Sequence, residues 1–133
     1  MVVEARSWIG TRWIHGQSLK GIGTDCVQLI VSLAKTFGWV SPEFKTRKYT
    51  KDWALHNERS ILKEELAKVA HIISLPNALI GDILVFKSGR CAGHMGFYIG
   101  GGRMVHSHIR HNVSEDPVKT YMADFDSAWR FNR

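Results

Sequence analysis

The chain has only two cysteines, Cys26 and Cys91, and no CxxC pair. Two thiols give at most one bridge, so a disulfide framework is excluded. A cytosolic chain would keep both reduced. No run approaches the ~18 consecutive apolar residues of a membrane-spanning helix, so no membrane insertion is expected. The opening Met1-Val2-Val3-Glu4-Ala5-Arg6 lacks a basic segment followed by an apolar one. The expectation is therefore no signal peptide and synthesis in the cytoplasm, with another carrier for any action outside it. No Lys/Arg stripe with interleaved aromatics occurs, so nucleic acid is not the expected partner. Internal repeats, low-complexity tracts and composition breaks are absent too, and residues 1–133 read as a single domain.

What is present is ordinary for a globular core: 44% apolar and 23% charged residues. The formal charge of +6 and the pI near 9.6 favour an anionic partner, such as a cell-wall polymer.

The chain is organised around Gly21-Ile22-Gly23-Thr24-Asp25-Cys26 and the apolar run after it. Asp25 suits a helix N-cap, because its carboxylate accepts the unpaired N–H groups of the first turn. Cys26 then takes the first helical position, where the macrodipole favours the thiolate over the thiol. This makes Cys26 a candidate nucleophile; the alternative is a buried small hydrophobe. Trp13 and His15 lie on the preceding polar loop, residues 11–24. They are candidates to wall a substrate cleft, with Trp13 alternatively covering the core edge.

Taken in order, residues 2–9 read as a short helix with Val2, Ala5 and Ile9 along one face. Residues 27–37 form the helix behind Cys26, apolar on most sides and closed by Gly38. A basic connector, 45–51, leads to a helix in one or two pieces from Asp52 to about Ser74, stopped by Pro76. Beyond Gly81 the texture turns to strands at 83–86, 94–99 and 103–109, with a last one at 127–131. Helices first and a meander later give α+β, with N-terminal helices packed on an antiparallel sheet of about five strands.

Gly100-Gly101-Gly102 is a hairpin signal. Read as a three-residue loop, it sets His94 opposite His108 and Gly96 opposite His106. Side chains alternate along strands, so these four share a face with Tyr98 and Met104. Met95, Phe97, Ile99 and Val105 take the core face. His94 and His106 become diagonal neighbours, with Gly96 leaving room for something to approach. A cysteine at a helix start and two histidines on one face meet the requirements of nucleophilic catalysis: Cys26 attacks, His94 takes the proton, His106 orients His94. His56, His71 and His111 read as surface or satisfied residues, with His108 at the edge of the face. A rival reading assigns Cys26, Cys91, His94 and His106 to zinc, without a strong metal-ligand spacing to support it.

These residues carry a resemblance. Gly10-Thr11-Arg12-Trp13, Asp25-Cys26-Val27-Gln28, Gly81-Asp82, His94-Met95-Gly96-Phe97-Tyr98 and Val105-His106-Ser107 follow one another as the motifs of the NlpC/P60 cysteine peptidases do. The likeness extends from residue 5 to 131. It implies a papain-like α+β fold, a Cys-His-His site at Cys26, His94 and His106, and no cofactor or metal. Residues 5–11, 19–26 and the insert with Trp53 and His56 resemble the branch encoded with phage tails and gene transfer agents.

The resemblance implies a peptidoglycan hydrolase acting on stem peptides, at the D-Glu to diamino-acid bond in many members. Phage tail proteins would then be possible partners, and a virion would bring the enzyme to the wall. The chain departs from the family at three places. Val27 replaces a Ser that, with the preceding Asp, helps bind a free L-Ala amine in some members; Asp25 remains a candidate for that contact. Gln28 replaces a small glycine, and Trp13 replaces a tyrosine whose hydroxyl sits near the thiolate. The departures at Val27 and Gln28 motivate the alternative of a non-catalytic wall- or tail-binding module on the same fold.

Overall fold

The computed structural model describes residues 1–51 and 60–133. The N-terminal helix α1 covers Val2–Arg6, shorter than its pattern suggests. Ala5 and Trp8 are buried, whereas Ile9 is exposed, so the inward face runs through Ala5 and Trp8. The following loop contains a small ladder of β1 (Ser18–Leu19) and β2 (Gly23–Thr24). Helix α2, Cys26–Thr36, starts at the Asp25 cap, whose side chain accepts from Gln28 N. It ends before Gly38, whose φ of +73° suits glycine. Leu29, Ile30, Leu33 and Ala34 bury its inner face.

The expected helix from 52 to 74 is corrected. Its first part, with Asp52, Trp53 and His56, lies outside the described residues. Helix α3 covers only Ile61–Leu66, capped by Ser60. The chain then becomes strand β3, Ala70–Ile73, pairing with the last strand. Val69 and Ile73 fit a helical period with Leu66, yet Ala70 is buried and Ile72 is 62% exposed. Both lie on one face of an edge strand, covered at Ala70 and open at Ile72, and the pairing from Ala70 with Phe131 to Ile73 with Ala128 holds the stretch extended.

Among the described residues six strands form one antiparallel sheet, one more than expected. Strands β4 (Ile83–Ser88), β5 (Cys91–Gly100), β6 (Arg103–His108) and β7 (Asn112–Pro117) form a meander, and β8 (Phe125–Phe131) inserts between β3 and β4. The arginine fork of Arg130 meets both oxygens of buried Asp82 at 2.8 and 2.9 Å, tying β8 to the start of β4. Strands β3 and β7 are the additions to the strands placed from sequence; in β7, Ser114-Glu115-Asp116-Pro117 is polar because it lies at the open edge, where Val113 alone is buried.

The glycine turn also differs in length. Gly100 pairs with Arg103, so Gly101-Gly102 form a two-residue turn, and a bulge follows between Tyr98 and Gly100. Beyond it Tyr98 faces Met104 and Phe97 faces Val105. The extra bulge residue restores the offset that a three-residue loop gives, so the expected face sharing is retained.

The main core lies between the helices and the sheet face of Met95, Phe97, Ile99 and Val105. A smaller cluster of Leu84, Phe86, Met104, Val118 and Ala128 fills the other face. It is covered by the 3-10 segment Val118–Asp124 with Tyr121. Gly96 leaves no room for a visitor: a Cβ there would lie 2.5 Å from Met104 Sδ.

Candidate active site

The loop before α2 is held at both ends. Ser107 Oγ, on β6 beside His106, donates to the Thr24 carbonyl at 2.8 Å. Thr11 Oγ1 accepts from Gly21 N, and Gly10 and Val113 bond to β7 and the loop through their backbones. The strand that carries His106 therefore also fixes the residue two before Cys26.

Cys26, Asp25, Trp13, His15 and His94 open on one cleft of about 220 Å³, with Tyr49, Lys51, Lys87, His108 and Tyr121 also on its walls. His106 is fully buried behind His94. His94 Nε2 and His106 Nδ1 lie 2.7 Å apart. The ring centroid of His108 is 5.7 Å from that of His94, and His111 packs against His108 at 5.2 Å. His56 lies outside the described residues. His71 bonds Asn132 from the far strand β3.

The thiol is not held as a thiolate, contrary to the expectation from the helix start. Burial, then the Asp25 carboxylate, push Cys26 up to about 12. The backbone N–H groups of Met95, Val27 and Cys26 itself oppose that shift. The macrodipole is present, but desolvation of a buried anion outweighs it. The S–H donates weakly to the Gly93 carbonyl at 3.9 Å. Burial likewise lowers His94 to about 3, with His106 and His108 adding to the effect. Thiol and imidazole are both neutral at rest.

Asp25 is engaged on both oxygens. Oδ1 accepts from Gln28 N at 2.8 Å; Oδ2 accepts from Gly16 N at 2.8 Å and the Tyr49 hydroxyl at 2.6 Å. His15 Nδ1 is 3.8 Å from the same oxygen. Gln28, the bulky replacement after the cysteine, donates through Nε2 to the Tyr49 oxygen at 3.3 Å. Burial and the bond to Asp25 push the Tyr49 hydroxyl up, so it stays a donor.

Two contributors were not singled out from sequence. Tyr49 sits in a basic connector that gives no motif. Asp116 Oδ2 lies 2.7 Å from His106 Nε2. It lies in a polar run that carries no strand signal; continuing the meander by one strand, with Ser114 opposite His106, brings it to the histidine face. Among the described residues no group of three or more His, Cys, Asp or Glu is arranged to hold a metal ion. The zinc reading also competes with the bond that His94 Nε2 already makes to His106.

A model described as the NlpC/P60 family matches residues 10–129. Among curated proteins no match is found. Solved structures similar in fold include an NlpC/P60 family protein from Bacillus cereus ATCC 10987, with TM-score 0.72 and 20% identity. It covers 98% of this chain, which spans only 38% of that protein. The NlpC/p60 domain of the peptidoglycan hydrolase SagA has TM-score 0.65 and 21% identity, covering 98% of this chain and 95% of its own. RipD from Mycobacterium tuberculosis, described as a non-catalytic NlpC/p60 domain protein adapted to peptidoglycan binding, has TM-score 0.63 and 16% identity. It covers 96% of this chain and 91% of its own.

Proposed function

The chain belongs to the NlpC/P60 family, and from that premise we propose that it is a cysteine peptidase hydrolysing peptide bonds in peptidoglycan stem peptides. The observation that carries this reading is the shared cleft of Cys26 and His94, with His94 Nε2 tied back to His106. That bond leaves His94 Nδ1 as the ring nitrogen for the thiol proton. Both groups are neutral at rest, so the proton passes to His94 as sulfur adds to the carbonyl rather than beforehand. The backbone N–H groups at the start of α2 are candidates to hold the oxyanion. Collapse releases the amine, protonated by His94, and leaves a thioester on Cys26. Water, deprotonated by His94, then frees the acid. The cycle calls for no cofactor.

The D-Glu to diamino-acid bond is the proposed target. Lys51 and Lys87 on the cleft wall and the net charge of +6 suit an acidic peptide. Trp13 and His15 line the same cleft and are the proposed substrate contacts beside Asp25. A phage-tail setting, with tail proteins as partners, rests on the resemblance of residues 5–11 and 19–26.

A second reading, a wall-binding module without catalysis, is favoured by the protonated thiol and by Val27 beside it. One experiment separates the two. Purified walls of defined chemotype are digested with wild type and Cys26→Ala, and released muropeptides are read by mass spectrometry. Release by the wild type and none by Cys26→Ala is expected. Co-sedimentation with walls without any release supports the binding module and sinks the peptidase.

A further inference from the structure

Asp116 lies outside the cleft wall and on no motif, yet its carboxylate gathers donors. His106 Nε2 and Ser114 Oγ each lie 2.7 Å from Oδ2, and Tyr121 also bonds the carboxyl. Register explains the meeting. His106 faces Ser114 and Met104 faces Asp116, so Asp116 is the diagonal neighbour of His106 on the same sheet face.

An ionised carboxylate only accepts hydrogen bonds. The nitrogen of His106 that faces it must therefore carry a proton, because a bare lone pair 2.7 Å from an oxygen would be repelled. In a neutral ring the other nitrogen is then bare. That nitrogen, Nδ1, lies 2.7 Å from His94 Nε2, so His94 must bear its own proton on Nε2. His94 Nδ1 is thereby left with a lone pair. The direction of every bond in the row follows from the acid at its end.

We propose that Asp116 is a positioning residue of the hydrolytic site, a fourth member behind Cys26, His94 and His106 that fixes the tautomers of both imidazoles and so keeps His94 Nδ1 free to take the thiol proton. This rests on the reading of Cys26 as nucleophile and His94 as base. When the thiol proton reaches His94 Nδ1, the S–H bond breaks and the N–H bond forms. The ring becomes imidazolium while still donating from Nε2 to His106. The charge then lies at the head of a row of aligned dipoles ending in a carboxylate, which favours it. Burial pushes the Asp116 carboxyl up, but the bonds from His106 and Ser114 outweigh it and hold it below the usual range, so the acid is ionised.

The first test needs no substrate. Two-bond proton–nitrogen NMR of the imidazoles reports which nitrogen is bare. In the wild type both His94 and His106 are expected as Nε2–H tautomers. In Asp116→Ala, and in Asp116→Leu, which keeps more of the side-chain volume, both rings are expected to shift toward mixed tautomers. A wild-type His94 protonated on Nδ1, a doubly protonated His106, or unchanged tautomers in both folded variants would overturn the proposal. Because this readout is independent of hydrolysis, it stands or falls apart from the peptidase reading.

The second test is kinetic. Asp116→Ala is expected to lower kcat about 10–100-fold, as loss of an orienting partner does elsewhere, with KM little changed. In a His106→Asn background the Asn carbonyl accepts from His94 without help, and removing Asp116 is expected to cost nothing more. An equal loss in both backgrounds would assign Asp116 a merely structural role.

Discussion

At the scale of single residues, Asp25 shows how a side chain becomes committed. A carboxylate has about four lone-pair sites. Three are taken by Gln28 N, Gly16 N and the Tyr49 hydroxyl, and the side chain is almost fully buried. A substrate ammonium reaching Asp25 would have to share the one remaining site. Val27 offers no second acceptor. The site is therefore poorly furnished for a free amino terminus, and Gln28 contributes by steadying Tyr49. Removing the Tyr49 hydroxyl should reopen the carboxylate. For Tyr49→Phe, kcat/KM on stem peptides with a free amino terminus is expected to rise roughly 3–10-fold relative to N-acylated ones, the worth of one hydrogen bond. Paired assays on the two peptide forms check this; an unchanged ratio means that Asp25 does not meet the amine.

At the scale of elements, the β5–β6 hairpin shows what was legible in the sequence. Its histidine face follows from alternation together with a three-residue loop; the turn has two residues, and the bulge between Tyr98 and Gly100 restores the same offset. Cys26 at the start of α2 followed from the Asp25 cap. Strand β7 did not, because an edge strand needs few apolar residues, and Asp116 was lost with it. Residues 66–73 misled because a three-and-four spacing also fits a helix turn followed by an edge strand. The open space expected at Gly96 depended on which side chain fills it, and no local pattern reveals that this is Met104. A methyl group at Gly96 would crowd Met104 Sδ at 2.5 Å and His106 Cβ at 3.4 Å. Met104 is wholly buried and cannot swing into solvent. Gly96→Ala is thus expected to destabilise the fold by about 1–3 kcal/mol, as overpacking does, and to reduce kcat by displacing His106. Denaturant unfolding and wall digestion measure the two effects. Adding Met104→Ala should recover part of the activity; if it does not, the crowding is elsewhere.

At the scale of the whole molecule, the protonation of Cys26 and His94 was beyond sequence reasoning, since burial is produced by parts of the chain far apart in order. It also makes folding depend on acidity. His94 is lowered to about 3, and burial lowers His106 and His108 as well. His106 faces Asp116, and His108 faces His111 and Arg110, which temper or reinforce the effect without reversing it. An unfolded histidine titrates near 6.5. As pH falls below that value the unfolded chain takes up protons that the native His94 refuses, so the native state loses ground. Stability is therefore full above about pH 7 and declines from pH 6.5 toward 3. Each unit in this window costs about 1.4 kcal/mol for one such group. For His94 alone this gives about 2 kcal/mol between pH 7 and pH 5. In a chain of this size that is a fall in melting temperature of roughly 6–10 °C. Asp116 acts in the same direction at lower pH, because its carboxyl is held below the usual range and loses its bonds when protonated. Thermal melts of wild type and His94→Asn at pH 7 and pH 5 separate the contribution. The variant, lacking the ring, is expected to lose less between the two conditions, whatever its stability at pH 7. Equal losses would mean that native His94 accepts a proton as readily as the unfolded chain does. In that case its imidazole is solvated, and burial is not what keeps it neutral when the hydrolytic cycle starts.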